Sequence, residues 1–121
     1  MHILIVDDNQ FRHNKIRKDY PEDTFSHAYN YNDAKYLMDH HKFDIIFMDH
    51  DLGDYSGTFL DGKPGKELTG YDVVLYLTNF VDSSKWPKFL YSHSQNPVGA
   101  WDIKKLCNSV GIKCAVRPFK G

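Results

Sequence analysis

Two aliphatic runs in this chain break off abruptly in acid. Ile3-Leu4-Ile5-Val6 leads into Asp7-Asp8, and Phe43-Asp44-Ile45-Ile46-Phe47-Met48 leads into Asp49-His50-Asp51-Leu52-Gly53. Short apolar runs without alternation are the pattern of strands buried on both faces, as the central strands of a parallel sheet are. Thr24 to Tyr29 alternates instead, with Phe25, His27 and Tyr29 on one side, and predicts a half-exposed edge strand. Lys88-Phe89-Leu90-Tyr91-Ser92 after Pro87 and Lys113–Val116 near the end predict two more strands.

Helical spacing fills the intervals. Asn9 is a fair N-cap for a weakly striped segment over 10–20, which Pro21 ends. Asn32 or Asp33 can cap a helix striped by Ala34, Leu37, Met38 and His41, whose last turn carries His40, His41 and Lys42 where positive charge suits the helix dipole. Tyr71–Phe80 repeats through Val73, Val74, Leu77 and Phe80. Asn96-Pro97 pairs a capping residue with proline at the first helical position, and the following helix buries Ile103, Leu106, Cys107 and Val110 before Gly111 stops it. Between the third strand and the third helix lie about twenty residues of turn chemistry, with Gly53, Gly57, Gly62, Pro64, Gly65 and Gly70, which predict a long functional or mobile loop.

Strands alternating with helices imply right-handed crossovers. The expected fold is α/β, a doubly wound five-stranded parallel sheet of order 2-1-3-4-5, flavodoxin-like. It sets the ends of the first and third strands side by side at the switch point, where such sheets place ligands. The 121 residues predict a single domain over 1–121, with 41% hydrophobic and 26% charged residues. A net charge of −1 gives no electrostatic case for nonspecific nucleic-acid or membrane binding. Cys107 and Cys114 are too few for a disulfide framework, and no apolar run has the length of a membrane span. A reducing, cytoplasmic location is the expectation.

The topology brings Asp7, Asp8 and Asp49 together, and carboxylates that close repel one another, so that without a cation at least one should have a raised pKa. Magnesium, or manganese, suits an oxygen donor set of this kind. Ser92-His93-Ser94-Gln95-Asn96 directly precedes a helix N-terminus, a natural cradle for phosphate oxygens, with Ser92, Ser94 and Asn96 as candidate contacts. Arg117 after the last strand can clamp an anion, or can serve as a structural partner for the acids. His2, His13, His27, His40 and His41 show no metal-ligand spacing on a common face, which argues against zinc. Trp86 and Trp101 suit core or partner anchors better than base-stacking platforms.

Ile5-Val6-Asp7-Asp8, Phe47-Met48-Asp49, Tyr91-Ser92 and Arg117-Pro118-Phe119 resemble the four signatures of response-regulator receiver domains. The resemblance implies a metal at Asp7 and Asp8, a phosphate-accepting Asp49 and a phosphoryl contact at Ser92. Departures accompany it: Arg117 stands in place of a lysine, His50 and Asp51 follow the acceptor, and Phe119-Lys120-Gly121 cannot form a last helix. Asp49-His50-Asp51-Leu52-Gly53, Gly70-Tyr71-Asp72-Val73-Val74 and His93-Ser94-Gln95-Asn96-Pro97-Val98-Gly99-Ala100 are similar to the divergent cyclic-phosphate-processing receivers. That similarity implies a metal-dependent phosphoesterase site, with Asp7, Asp8, Asp49 and Asp51 holding the ion and His50 or His93 moving protons beside Asp49. The partner would be a phosphate-containing small molecule or a nucleic-acid end. The alternatives are a receiver phosphorylated on Asp49 by a histidine kinase, and a non-catalytic interaction module. With no last helix, part of one sheet face is expected to be open and to be covered in a homodimer or by an obligate partner.

Overall fold

A computed structural model of the protein describes residues 1–118. Its element order is β1 (His2–Val6), α1 (Gln10–Asp19), β2 (Thr24–Ala28), α2 (Tyr31–His40), β3 (Ile45–Met48), β4 (Asp54–Thr58), β5 (Pro64–Leu68), α3 (Gly70–Phe80), β6 (Phe89–Ser92), α4 (Pro97–Val110) and β7 (Cys114–Val116), with one 3-10 turn at Ser83–Lys85. Five strands form a sheet of order β2-β1-β3-β6-β7, every pair parallel. Counted without β4 and β5, this is the order 2-1-3-4-5 that the hydrophobic pattern predicts.

The sheet separates two cores. Leu4, Val6, Ile46, Met48 and Leu90 face α2, α3 and α4 through Ala34, Met38, Val73, Val74, Leu77, Ile103 and Cys107. Ile3, Ile5, Ile45 and Phe47 face the other way, onto Ile16 of α1, with Tyr20, Phe25 and Tyr91 packed at their margin. Alternation along β1 and β3 therefore assigns odd positions to the α1 side and even positions to the other.

The local signals place most elements within a residue or two. Asn9 caps α1 by accepting from the Phe11 and Arg12 amides, and Asn96 caps α4 by accepting from Gly99. Gly111 closes α4 at φ 86°, a left-handed position that suits glycine. For α2 the cap is Asn30, not Asn32 or Asp33, because the Asn30 side chain accepts from the Asp33 amide. Phe43 and Asp44 precede β3 instead of belonging to it: the Asp44 carboxylate accepts from the His2 amide and ties the strand start to β1. Phe80 and Val110, expected to be buried, are exposed at the ends of their stripes. Trp86 anchors the end of α3, its indole N–H donating to the Leu77 and Val81 carbonyls, whereas Trp101 is half exposed under the Lys104 ammonium.

The long loop is a correction. Residues 54–68 form an antiparallel hairpin, β4 with β5, whose register slips near Gly57. Its strands are mostly exposed, so no apolar alternation marks them in the sequence. Gly57 is required there, since a Cβ would sit 2.8 Å from the Lys66 carbonyl oxygen. The expectation that no helix follows β7 falls on residues 119–121, outside the described residues. Among the described residues, no helix is long and apolar enough to cross a membrane.

Candidate functional site

The parallel ladder runs one step past the ends of three adjacent strands. Val6, Met48 and Ser92 are register partners, and beyond them the Asp49 amide donates to Val6 and the His93 amide to Met48. Asp7, Asp49 and His93 thus occupy consecutive places on one rank, two residues beyond Ile5, Phe47 and Tyr91 and on the same α1-facing side. The sheet itself delivers two carboxylates and an imidazole to one point.

Asp7, Asp8 and Asp49 each offer an oxygen within 4.8 Å of the others. Asp7 is fully buried and its oxygens are saturated. Its Oδ1 accepts from the Asn9 amide at 2.9 Å and from Arg12 Nη2 at 2.8 Å; its Oδ2 accepts from Arg12 Nε at 2.6 Å and pairs with His93 Nε2 at 2.7 Å. Burial opposes ionisation of Asp7, but the hydrogen bonds from His93 and Arg12 outweigh it and hold the carboxyl well below its usual range. Asp49, 5% exposed, lacks that support; burial, then the charge of Asp7, push it up to about 6. Asp8 stands exposed at the rim, raised by partial burial and by Asp7.

Arg12 is the residue that sequence reasoning missed. From the first turn of α1 it grips Asp7 with two nitrogens and reaches Asp49 at 3.3 Å and Asp8 at 3.5 Å. The signal was available: a cation in a helix's first turn opposes the macrodipole, so its presence calls for a local anion. With Asn9 as cap, Asp8 and Arg12 stand four apart, within reach of one another. His13, one residue on, is also buried and hydrogen-bonded to the Asp7 carbonyl oxygen through Nε2.

The cleft over these groups measures about 260 Å³ and is lined by Asp8, Arg12, Asp49, Asp51, His93, Ser94, Gln95 and Asn96. Ser94 and Asn96 stand in it as expected, the Ser94 hydroxyl accepting from the Asn96 amide at 3.0 Å. Asp51 lines it but is not among the three carboxylates that converge. His50 does not line it. Its ring lies against Gly99 of α4 while Nδ1 bonds Asp51 Oδ1 at 2.9 Å, and it borders a separate hollow with Thr69, Tyr71 and Asp102. Ser92 is turned to the opposite side of the sheet, where its hydroxyl donates to the Ala100 carbonyl at 3.2 Å. The period of two explains this: Ser92 is one residue short of the rank that holds Asp49, and His93 takes that place. Arg117 lies over the Tyr91 ring, 5.1 Å from its centroid, and lines the neighbouring groove with Tyr20, Phe47 and His93.

Two glycines explain why the segments after β3 and β6 fit so closely. A Cβ on Gly70 would lie 1.9 Å from the Asp49 carbonyl oxygen, and one on Gly99 would lie 2.4 Å from the His50 ring. The Gly70 amide also donates to the His50 carbonyl at 2.8 Å, so the start of α3 is locked to the site loop.

A receiver domain of the response-regulator type is what this sheet order and this acidic switch point define. Residues 2–109 match the family described as the Cyclic-phosphate processing Receiver domain, and the chain belongs to that family. Among solved structures it is similar to a response regulator from Burkholderia pseudomallei with a phosphorylated aspartic acid, calcium ion and citrate. The identity is 16% and the TM-score 0.65, covering 98% of this chain and 61% of that one. NtrX from Brucella abortus shares 16% identity at TM-score 0.66, over 98% of this chain and 24% of its own. CheY4 from Vibrio cholerae shares 17% at TM-score 0.58, over 98% and 88%. At these identities the likeness is one of fold. The chain thus spans less than two thirds of the first and second of these proteins. No curated protein matches the sequence.

Proposed function

We propose that the protein is a receiver-like enzyme that opens or hydrolyses a phosphate ester, such as a cyclic phosphate, at a divalent-metal site centred on Asp49. The observation that carries this reading is His93 Nε2 bonded to Asp7 Oδ2 at 2.7 Å inside the carboxylate cluster. An imidazole in that place adds acid–base chemistry that an acceptor aspartate and a metal do not need for phosphorylation alone.

The donor set fits a hard cation. Three carboxylates converge, and Asp49 is destabilised as an anion until positive charge arrives. Asp8 and Asp49 would hold the ion, with Asp7 sharing whatever lone pair Arg12 gives up. When bound, the ion would polarise a phosphoryl oxygen and lower the pKa of a coordinated water. The chain's own residues do the rest. Asp7 fixes the His93 ring through its hydrogen bond with Nε2, which leaves Nδ1 as the ring's second nitrogen for proton transfer. That nitrogen is buried and, among the described residues, has no hydrogen-bond partner. The Asn96 cap and Ser94 frame the start of α4, whose amides favour an anion.

The second reading is a receiver phosphorylated on Asp49 by a histidine kinase. It is favoured by the position of Asp49 at the end of β3 and by the phosphorylated aspartate of the Burkholderia pseudomallei regulator. Turnover of cyclic and linear nucleotides with magnesium or manganese separates the two. The enzyme reading expects metal-dependent product that disappears in His93→Ala and Asp49→Asn; a stable phosphoryl adduct from acetyl phosphate, with no turnover of any ester, would establish the second.

A further inference from the structure

We propose that Arg12 is an exchangeable cation: it fills the acidic cleft in the absence of metal, is displaced when a divalent ion binds, and then becomes the clamp for the phosphate group of the ligand. The inference rests on the metal site proposed above and adds to it a residue and an order of events.

The geometry has three parts. First, the guanidinium does what a divalent ion would do, touching Asp7, Asp8 and Asp49 at once, at 2.6 to 3.5 Å. An ion drawing on all three carboxylates competes with Arg12 directly, because both Asp7 oxygens are already used by Arg12 or His93. Second, the three contacts are unequal. Those to Asp49 and Asp8 are long, and the side chain is 24% exposed, so only the pair with Asp7 binds it tightly. An ion that takes over Asp8 and Asp49 relieves their mutual repulsion and leaves Arg12 facing like charge. Third, Arg12 is rooted in the first turn of α1 and lines the cleft together with Ser94 and Asn96. A guanidinium swung outward from there still lines the cleft, and its planar fork matches two phosphate oxygens.

Metal and phosphate must then respond in opposite directions to one substitution. Arg12→Gln removes the competitor and the clamp together. Titration calorimetry with Mn²⁺ alone is expected to show binding roughly tenfold tighter than in the wild type, and inorganic phosphate added to the Mn²⁺-loaded protein roughly tenfold weaker. Arg12→Lys, which keeps the charge but loses the two-nitrogen grip, falls between them on both measures. A measurement on the unsubstituted protein guards against a variant that fails to fold. The Arg12 Nε–H proton, held by Asp7 and visible by NMR, is expected to lose its protection from exchange as Mg²⁺ is added.

Equal or weaker Mn²⁺ binding in Arg12→Gln, or an Nε–H signal that stays protected at saturating Mg²⁺, overturns the exchange while leaving the metal site intact. Tighter Mn²⁺ with unchanged phosphate binding overturns the clamp. Absence of Mn²⁺ binding in both proteins overturns this inference and the metal site together.

Discussion

At the scale of single residues, the site is organised by unequal treatment of two acids on one rank. Asp7 receives four hydrogen-bonding contacts and stays ionised; Asp49, a neighbouring strand away, receives one long contact from Arg12 and is pushed up to about 6. An acid raised in the folded state favours folding while protonated, so its contribution is present at low pH and lost as pH rises through about 6. Asp7 works in the opposite sense, giving stability above its unfolded value that is lost only in acid. Asp49→Asn is therefore expected to stabilise the metal-free protein at pH 8 by about 1–2 kcal/mol, measured by urea unfolding. A loss of stability would mean that Asp49 is already compensated. Because the proton must leave before a cation binds, Mg²⁺ affinity should rise about tenfold per pH unit below about 6 and level off above it. A flat profile by calorimetry would remove Asp49 from the ligand set. Gly70 offers a packing test. Gly70→Ala drives a Cβ against the Asp49 carbonyl oxygen, which is backbone and cannot step aside, and should cost about 3 kcal/mol or more. Gly99→Ala meets the His50 ring, which can turn, and should cost less.

Elements were legible wherever burial wrote a period into the sequence. The runs at Ile3–Val6 and Ile45–Met48, the caps Asn9 and Asn96, and the stop at Gly111 each have a local physical cause that needs no tertiary context. The hairpin β4–β5 was not legible, because Tyr55, Phe59 and Leu60 are exposed and its pairing rests on backbone bonds that leave no apolar period in the sequence. Its base is joined to the fold through Asp54, whose carboxylate accepts from the Tyr31 amide at the start of α2. The tip has no such tie to the cleft. Replacing Phe59 and Leu60 by serine should leave stability within about 0.5 kcal/mol and Mg²⁺ affinity unchanged, both read by thermal unfolding with and without the ion. A drop in metal-induced stabilisation would show that the hairpin reaches the site.

For the molecule as a whole, the order of strands decided which candidate residues could meet. Asp7, Asp8 and Asp49 were placed together by topology alone, and the structure brings them within one ion's reach. The finer assignments needed the register. Ser92 resembled the phosphate-contacting hydroxyl of receivers, yet one step along β6 separates it from the rank of Asp49, and His93 stands there instead. Arg117 had been matched to the cleft by its position after β7, but its guanidinium covers Tyr91 in the adjoining groove. Sequence patterns carry periodicity well and side-chain direction at strand ends poorly; the first-turn position of Arg12 pointed to a local anion, but its reach to Asp49 needed the fold, since its partners follow two different strands. The proposed function requires Asp49 and His93 to act together on a phosphate ester. The most direct test is phosphorus NMR of cyclic nucleotide phosphates incubated with the protein and Mg²⁺. The expected result is that a cyclic phosphate resonance converts to that of a monoester, only with metal, and not with Asp49→Asn or His93→Ala. A protein that binds Mg²⁺ tightly and leaves every cyclic phosphate intact would contradict it.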